Sequence, residues 1–575
     1  MKKIDYYQMR AYFYVREANL SVEFKLSELE QLWYCTQKSV KRKLKQFAEE
    51  EWVHYQPGIG RGNPSVIQFT LPLKEDFENE VDQLIERDHL EDIIQLLQLP
   101  FPHHVTSNVL KKVQALFGLQ ISNEAKDTLR TIITRKVTTL DPLYTSMNFE
   151  TFLLHQLGDT LVTYDEQADA IRPQLAHHWE SDAKHKIWTF YLRKSVRFHN
   201  HQLLTSEDIK HTYERFKHNA SPHQWLVDEI KRIECHSPYI VRFELEKSNP
   251  FFLRYVSSSN LVIQPRGIPF DENQWIGTGP FQLKKRTDTL IELEAFDDYF
   301  LARPFIDVIQ TYSVEHESTK LINYDIDQKE AHTKPVEMLT TSVGFRFLAF
   351  NFKRKTIVHN RFFREALYHL FDIKEMWNKI GRDNLKESSS YFYWKSKPKV
   401  LHKERISTLL KESGYNGETL TIFTVGYPNY LEEANWLKKE AEKYGVKFLI
   451  KTYHLEQLYD PYIEEADLLF MGEVASKDHH LSFIGAFLNK ALIFNRFFTT
   501  EQLEQLNLYF EKMKQETNRE KREVIIESVE EFIRSENLFL YLYHPVKKRI
   551  FNPMINNIEF DSYGFVDCRK LWIRI

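Results

Sequence analysis

Cysteine is scarce in this chain of 575 residues: Cys35, Cys235 and Cys568 are odd in number and far apart. That excludes a disulfide frame and points to reduced thiols in a cytosolic setting. No stretch of about 20 apolar residues is present, so no helical membrane span is expected. Met1-Lys2-Lys3 could begin a secretion signal, but Asp5, Gln8, Arg10, Arg16 and Glu17 break the apolar run that should follow. A cytoplasmic protein with no membrane partner is therefore expected. Phosphate-cradling glycine loops, GxSxG and HExxH are also missing, so no enzyme activity and no cofactor are expected. Histidines occur at His103-His104, His177-His178, His199, His201 and His479-His480, without metal-ligand spacing. They read as surface or hairpin residues, and no metal is expected. The paired Asp297-Asp298 reads as structural.

What is there is globular: 42% hydrophobic, 14% aromatic and 27% charged residues, a balance that excludes collagenous and disordered classes. The chain is too long for one core, and length alone predicts three or four compact units. Net charge is −4, so any binding of nucleic acid must come from a local basic patch.

Such a patch lies near the N-terminus. Ser27-Glu28-Leu29-Glu30 has the spacing of a capping box and predicts a helix starting at Ser27, with Leu29 and Leu32 facing inward. Thr36 is a suitable N-cap for a second helix. On that helix Val40, Leu44 and Phe47 share one face, leaving Gln37, Lys38, Lys41, Arg42, Lys43 and Lys45 to solvent. Two strand-like runs follow, Trp52–Tyr55 and Ser65–Phe69. The Gly58-Ile59-Gly60-Arg61-Gly62-Asn63 turn between them carries Arg61 at its tip. Helix, turn, basic helix and Gly-Arg-Gly hairpin together describe a winged helix-turn-helix. Double-stranded DNA is its expected partner, met by Thr36, Gln37, Lys38, Ser39, Lys41, Arg42, Lys45, Arg61 and Asn63. Residues 75–115 read as helical, interrupted by Pro100 and Pro102. The polar stretch 122–127 marks a boundary, and beyond it strand-like and helical segments mix. Domain 1–115, linker 116–127 and domain 128–575 are the expected divisions.

The stretch Leu26–Trp52 and the wing Gly58–Gly62 resemble the N-terminal domain of the SgrR family of bacterial transcription regulators. Beyond residue 128 the chain resembles the peptide/nickel class of solute-binding proteins. The matching segments are Thr139–Pro142, Leu175–Glu180 with Trp188–Arg193, Val196–Ile209, Gly277-Thr278-Gly279-Pro280-Phe281, Phe347–Asn351 and Val358–Asp372. Each is weak alone, and their order makes them specific. The resemblance implies a mainly α winged helix followed by a two-lobed α/β periplasmic-binding-protein-like domain, lobe I at about 128–342 plus 546–575 and lobe II at about 343–545. It implies a ligand-responsive regulator that closes over a small solute, whether sugar phosphate, peptide or another. The alternative is a solute (oligopeptide) receptor of an importer. Asn148, Phe149, Trp275, Asn351 and Glu473 are the expected ligand contacts. The segment in which peptide receptors carry an Asp for the ligand's amino group corresponds here to Gly472–Ser476, and Ser476 cannot form that ion pair. Glu473 and Asp478 are the nearby carboxylates.

Overall fold

A computed structural model describes residues 2–59, 63–120, 126–314, 336–341, 343–382, 385–551, 555–560 and 565–573. The chain divides into two compact units, not three or four. The first gathers Met1–Lys136, Arg286–Glu292 and the segment beginning at Ile309. The second holds Val137–Lys285, Leu293–Val308 and the rest of the described chain.

In the first unit, helix α1 (Lys2–Phe13) leads to strand β1 (Ser21–Phe24), helices α2 (Leu26–Leu32) and α3 (Gln37–Glu49), and strands β2 (Val53–Gln56) and β3 (Ser65–Phe69). The strands form an antiparallel sheet in the order β1-β3-β2. Four-residue β1 was too short to carry an alternation signal in the sequence. Helix α2 starts one residue earlier than expected. Its N-terminus is closed by the Glu28 carboxylate, which accepts the Lys25 N–H at 2.8 Å, so Ser27 is not the cap. Val40, Leu44 and Phe47 are fully buried, as their spacing requires, and pack with Tyr6, Trp33 and Val53.

Three further helices, α4 (Leu73–Glu86), α5 (Leu90–Leu97) and α6 (His103–Gln114), extend this core. Pro102 sits at the N-cap of α6, where a missing N–H costs nothing. Strand β4 (Gly118–Gln120) pairs antiparallel with β5 (Thr128–Ile133), so part of the expected linker is sheet, and 121–125 lie outside the described residues. Leu290, Tyr312 and Val314 join the same core, with Tyr312 set edge-on to Phe117 at 5.7 Å. Distant sequence thus completes the first unit.

Charge placement decides how α1 docks. The Arg10 side chain is wholly buried. It donates to Asp76 Oδ2 at 2.6 Å, to the Tyr6 hydroxyl at 3.0 Å and to the Leu71 carbonyl, with its guanidinium 4.3 Å from the Phe69 ring. A residue that looked like a mere interruption of an apolar run is the pin between α1 and the start of α4.

The second unit has two lobes, each built on a sheet. The first lobe holds helix α7 (Asn148–Leu157), the hairpin β6 (Val162–Asp165)–β7 (Ala170–Pro173), and an antiparallel sheet of β8 (Ala176–Ser181), β9 (Ile187–Leu192), β10 (Ile230–Ser237) and β11 (Ile240–Leu245) in the order β10-β11-β9-β8. The second lobe is a mixed sheet in which Gly344–Phe350 runs antiparallel to Leu468–Val474, while Thr419–Val425 lies parallel to both Leu468–Val474 and Lys447–Tyr453. One hydrophobic core runs through both lobes.

The Gly277–Phe281 segment is explained by close approach. A Cβ on Gly279 would lie 2.4 Å from the Gln156 carbonyl oxygen, and one on Gly277 would lie 2.3 Å from that of Leu157. Only glycine lets this turn cap the end of α7. His199 braces it from the other side, accepting the Gly277 N–H on Nδ1 and donating from Nε2 to the Gly279 carbonyl at 3.0 Å. Burial pushes its pKa down to about 4 and keeps it neutral.

Arg10→Ala should destabilise the first unit by about 2–4 kcal/mol, because it empties a wholly buried site and removes the cation beside the half-buried Asp76, which keeps only the Tyr6 and Tyr7 hydroxyls. Denaturant melts compared with wild type measure this, and a loss below about 1 kcal/mol would remove Arg10 from that role.

Candidate functional site

The first candidate surface is the outer face of α3. Thr36, Gln37, Lys38, Lys41, Arg42 and Lys45 are exposed and Ser39 is half-buried. Lys43 is diverted: it pairs with Asp5 at 2.7 Å and lies 4.7 Å from the Trp33 ring, which fastens α3 to α1. Lys45 has Glu49 at 3.4 Å, one helical turn on. Among the described residues Lys38, Lys41 and Arg42 have no ion-pair partner, so their charge is available to an outside polyanion. Thr36 is the N-cap of α3 by backbone geometry, without a side-chain cap bond. Its hydroxyl is therefore not used up at the helix end.

The wing is tightly turned. A Cβ on Gly58 would come 2.4 Å from the Asn63 carbonyl oxygen, and the Asn63 side-chain amide donates across the turn to the Ile59 carbonyl. Arg61 lies outside the described residues. Tyr34, in the turn between α2 and α3, was not singled out by sequence. It adopts φ of 47° and is 96% exposed beside the basic face.

The second candidate site is a cavity of about 140 Å³ between the lobes of the second unit. Its lining is dominated by hydroxyl and amide side chains: Thr145, Ser146, Asn148, Ser257–Asn260, Ser482 and Asn489. Trp225 adds an aromatic wall, packed edge-on to Tyr255 at 5.5 Å. The sequence carried a signal for part of this, the run Ser257-Ser258-Ser259-Asn260 set between Tyr255-Val256 and Leu261-Val262-Ile263.

Polar groups on the cavity wall are mostly committed to one another. His223 donates from Nε2 to the Thr145 carbonyl at 2.7 Å, and burial holds its pKa at about 4. Asn260 donates to the carbonyls of Pro142 and Thr145 at 2.9 and 2.8 Å. From the opposite lobe, Asn489 donates to Ser146 Oγ at 3.3 Å. Glu473 is different: among the described residues its carboxylate has no ion-pair partner, and only the Val474 backbone N–H bonds to it. Burial pushes its pKa up to about 8.

From the cavity wall, which includes Tyr164 and Asp478, a chain of paired charges crosses from lobe to lobe. Arg254 donates to Asp478 Oδ1 at 2.6 Å and to Asp169, and its guanidinium stacks 4.2 Å from the Tyr164 ring. Arg522 donates to the other oxygen of Asp169 at 2.8 Å and to His480 Nδ1 at 3.0 Å. His480 in turn contacts Glu523 at 2.7 Å. Asp478 also caps the helix His479–Leu488, accepting the Leu481 N–H at 3.0 Å. The expectation of surface histidines therefore fails at His480, which sits inside this network, and at His479, which is buried against Phe392 and Trp394, whereas His177 and His178 are exposed. Among the described residues no three His, Cys, Asp or Glu side chains converge as a metal site would require.

The five expected ligand contacts separate. Asn148 and Glu473 line the cavity. Phe149 is buried in a ring cluster with Phe152 and Phe565. Trp275 is buried against the glycine turn, its Nε1 donating to the Leu140 carbonyl at 2.8 Å. Asn351 is buried at a turn of the second lobe, its amide donating to the carbonyls of Glu464 and Ala466. Both Trp275 and Asn351 brace backbone away from the cavity, their polar atoms already used.

The fold and cavity are those of a two-lobed solute-binding protein, and comparison with known proteins agrees. Residues 170–494 match the family model of bacterial extracellular solute-binding proteins, family 5, and this chain belongs to that family. Residues 3–118 match the model of the sugar transport-related sRNA regulator N-terminal domain. An uncharacterised Bacillus subtilis protein, YhjP, is 26% identical over 100% of both chains. The HTH-type transcriptional regulator SgrR of Pectobacterium atrosepticum is 23% identical over 76% of each chain. Among solved structures, the dipeptide-binding protein of Pseudoalteromonas, determined with Met-Leu, superposes with a TM-score of 0.68 over 78% of this chain and 100% of its own, at 18% identity. That similarity establishes fold alone. No helix among the described residues is long and apolar enough to cross a membrane.

Glu473 makes a pH prediction. The unfolded carboxyl loses its proton near 4.5 and the folded one near 8, so unfolding releases a proton between those values and stability falls as pH rises through them. Glu473→Gln removes that slope. The variant should gain stability relative to wild type between pH 5 and pH 8, measured by paired denaturant melts. A pH-independent difference would mean that Glu473 titrates as an ordinary surface carboxylate.

Proposed function

We propose that this chain is a ligand-responsive transcription regulator: the winged helix binds promoter DNA, and the two-lobed unit senses a small solute by closing on it. The observation that carries the reading is the outer face of α3, where Lys38, Lys41 and Arg42 stand exposed on one helix with no ion-pair partner among the described residues, while Lys43 is turned inward to Asp5. Similarity to SgrR regulators over both units supports it. Gln37, Lys38, Ser39, Lys41 and Arg42 enter or flank the major groove, with Thr36, Lys45, Asn63 and Arg61 meeting phosphate or the minor groove.

The cavity narrows the ligand class. A space of about 140 Å³ matches the roughly 150 Å³ that accommodates a single aromatic ring, so the cavity as it stands fits a solute of about that size and not an oligopeptide. Hydroxyl and amide walls favour a hydroxylated solute, with Asn148 and Glu473 as its contacts and Glu473 available to a cationic or hydroxyl donor. Sensing then requires only a difference in affinity between open and closed forms. The protein acts in the cytoplasm and performs no turnover.

An importer's solute receptor is the second reading, favoured by the fold of the larger unit. One experiment separates the two, an electrophoretic shift of the purified protein on its own upstream intergenic DNA with nonspecific competitor. A competitor-resistant shift is expected. Arg42→Ala and Lys41→Ala should each weaken it without changing the melting temperature, by about 1–3 kcal/mol for a base contact, or with a salt slope smaller by about 1 for a phosphate contact. Absence of a specific shift on this and neighbouring promoters would leave the receptor reading in possession.

A further inference from the structure

A second pocket of about 320 Å³ opens in the larger unit, away from the interlobe cavity, where the helix Arg361–Leu370 meets the strand Phe539–Phe551. Four cations line it, Arg361, Lys399, Arg405 and Arg534, against a single lining carboxylate, Glu365. Two of the cations are only partly answered. Arg405 has Glu365 at 2.9 Å, and Arg361 has Glu536 at 3.6 Å. Arg534 is held by Glu527 and Glu531 at 2.6 and 3.1 Å and so belongs to its helix.

Lys399 is the exception. Its Nζ donates to the Tyr541 carbonyl and lies 5.6 Å from the Tyr368 ring, and among the described residues no carboxylate comes within ion-pair distance. Taking an ammonium out of water with only a carbonyl in contact is costly; burial pushes its pKa down to about 8, against the weaker pull of Glu387 and Asp372 beyond ion-pair distance. His369 adds a second unspent donor. It is 4% exposed, and its Nδ1 accepts the His402 backbone N–H at 3.2 Å, which puts the ring proton on Nε2. That Nε2 has no hydrogen-bond partner, the Glu365 carboxylate being 3.8 Å away.

We propose that this pocket binds a small oxyanion, a phosphate or carboxylate group, with Lys399 as its counter-ion, His369 Nε2–H as a neutral donor and Arg405 and Arg361 at the mouth. A concave site with a half-buried ammonium suits one compact anion; a nucleic-acid backbone needs an exposed basic face such as that of α3. The Phe539–Phe551 wall pairs with Gly344–Phe350, which pairs with the strand carrying Glu473, so the two pockets share one sheet. The proposal does not depend on the identity of the solute in the cleft.

Isothermal titration of the full-length protein with inorganic phosphate, sulfate and citrate, at ionic strength matched with chloride, tests it. Saturable binding of at least one oxyanion is expected, weakening as pH rises through about 8, where Lys399 loses its proton. Phosphate or sulfate binding without citrate would identify a phosphoryl-type ligand, and citrate alone a carboxylate. Lys399→Met should weaken binding at least tenfold, Arg405→Gln should weaken it less, and Lys411→Met, on the outer surface, should leave it unchanged. Since Lys399→Met removes a half-buried charge it should fold at least as well as wild type, and Arg405→Gln gives an independent reading if it does not. No saturable heat with any oxyanion, or equal binding by wild type and both pocket variants, would overturn the proposal.

Discussion

Charge that has left water must be answered by other charge, and the cleft of the larger unit is organised by that requirement. Arg254, Asp478, Asp169 and Arg522 are two cations and two anions contributed by both lobes, linked in a single chain. Removing one member would leave its partner buried and unpaired, which costs far more than the pair itself contributes. Because Asp478 also caps the helix His479–Leu488, the same chain sets the direction of a helix whose residues line the cavity. The lobes therefore meet through their own charges, and a solute adds to that closure only through whatever groups remain unspent.

Glu473 is the clearest of those groups. It sits at the end of a sheet strand, at the cavity wall, with its proton held by desolvation. A protonated carboxyl donates to a hydroxyl, and an ionised one accepts from a cation, so in the proposed sensing role its charge state selects between those two partners. Asp478, which the sequence offered as an equal alternative, has its charge cancelled by Arg254. Two carboxylates five residues apart thus both border the cavity, one tied across the lobes by Arg254 and the other without an ion-pair partner among the described residues.

The smaller unit follows the same logic with different weights. Its basic helix divides its lysines, Lys43 turning inward to Asp5 and Trp33 while Lys38, Lys41 and Arg42 stay in water. The apolar stripe Val40, Leu44 and Phe47 forces that division, since burying one face leaves the opposite face to solvent. Arg10 buries its charge against Asp76 to hold α1 over the same core. The unit is closed by Leu290, Tyr312 and Val314, contributed from far along the chain.

By itself the sequence determined whatever depends on local periodicity and on residues with few conformational substitutes. The α3 stripe and the Gly277–Phe281 turn were legible because spacing or the lack of a Cβ specifies them. Boundaries that rest on a single cap were not, as the shift from Ser27 to Lys25 shows, since several side chains can close a helix end. Tertiary structure alone decided which polar residues face the cavity. Asn148 and Glu473 reach it, whereas Trp275 and Asn351 spend their polar atoms on neighbouring carbonyls. It also decided which charges cancel, as with Arg254 and Asp478, 224 positions apart. Pairing of that kind depends on distance in space, which spacing along the chain does not record.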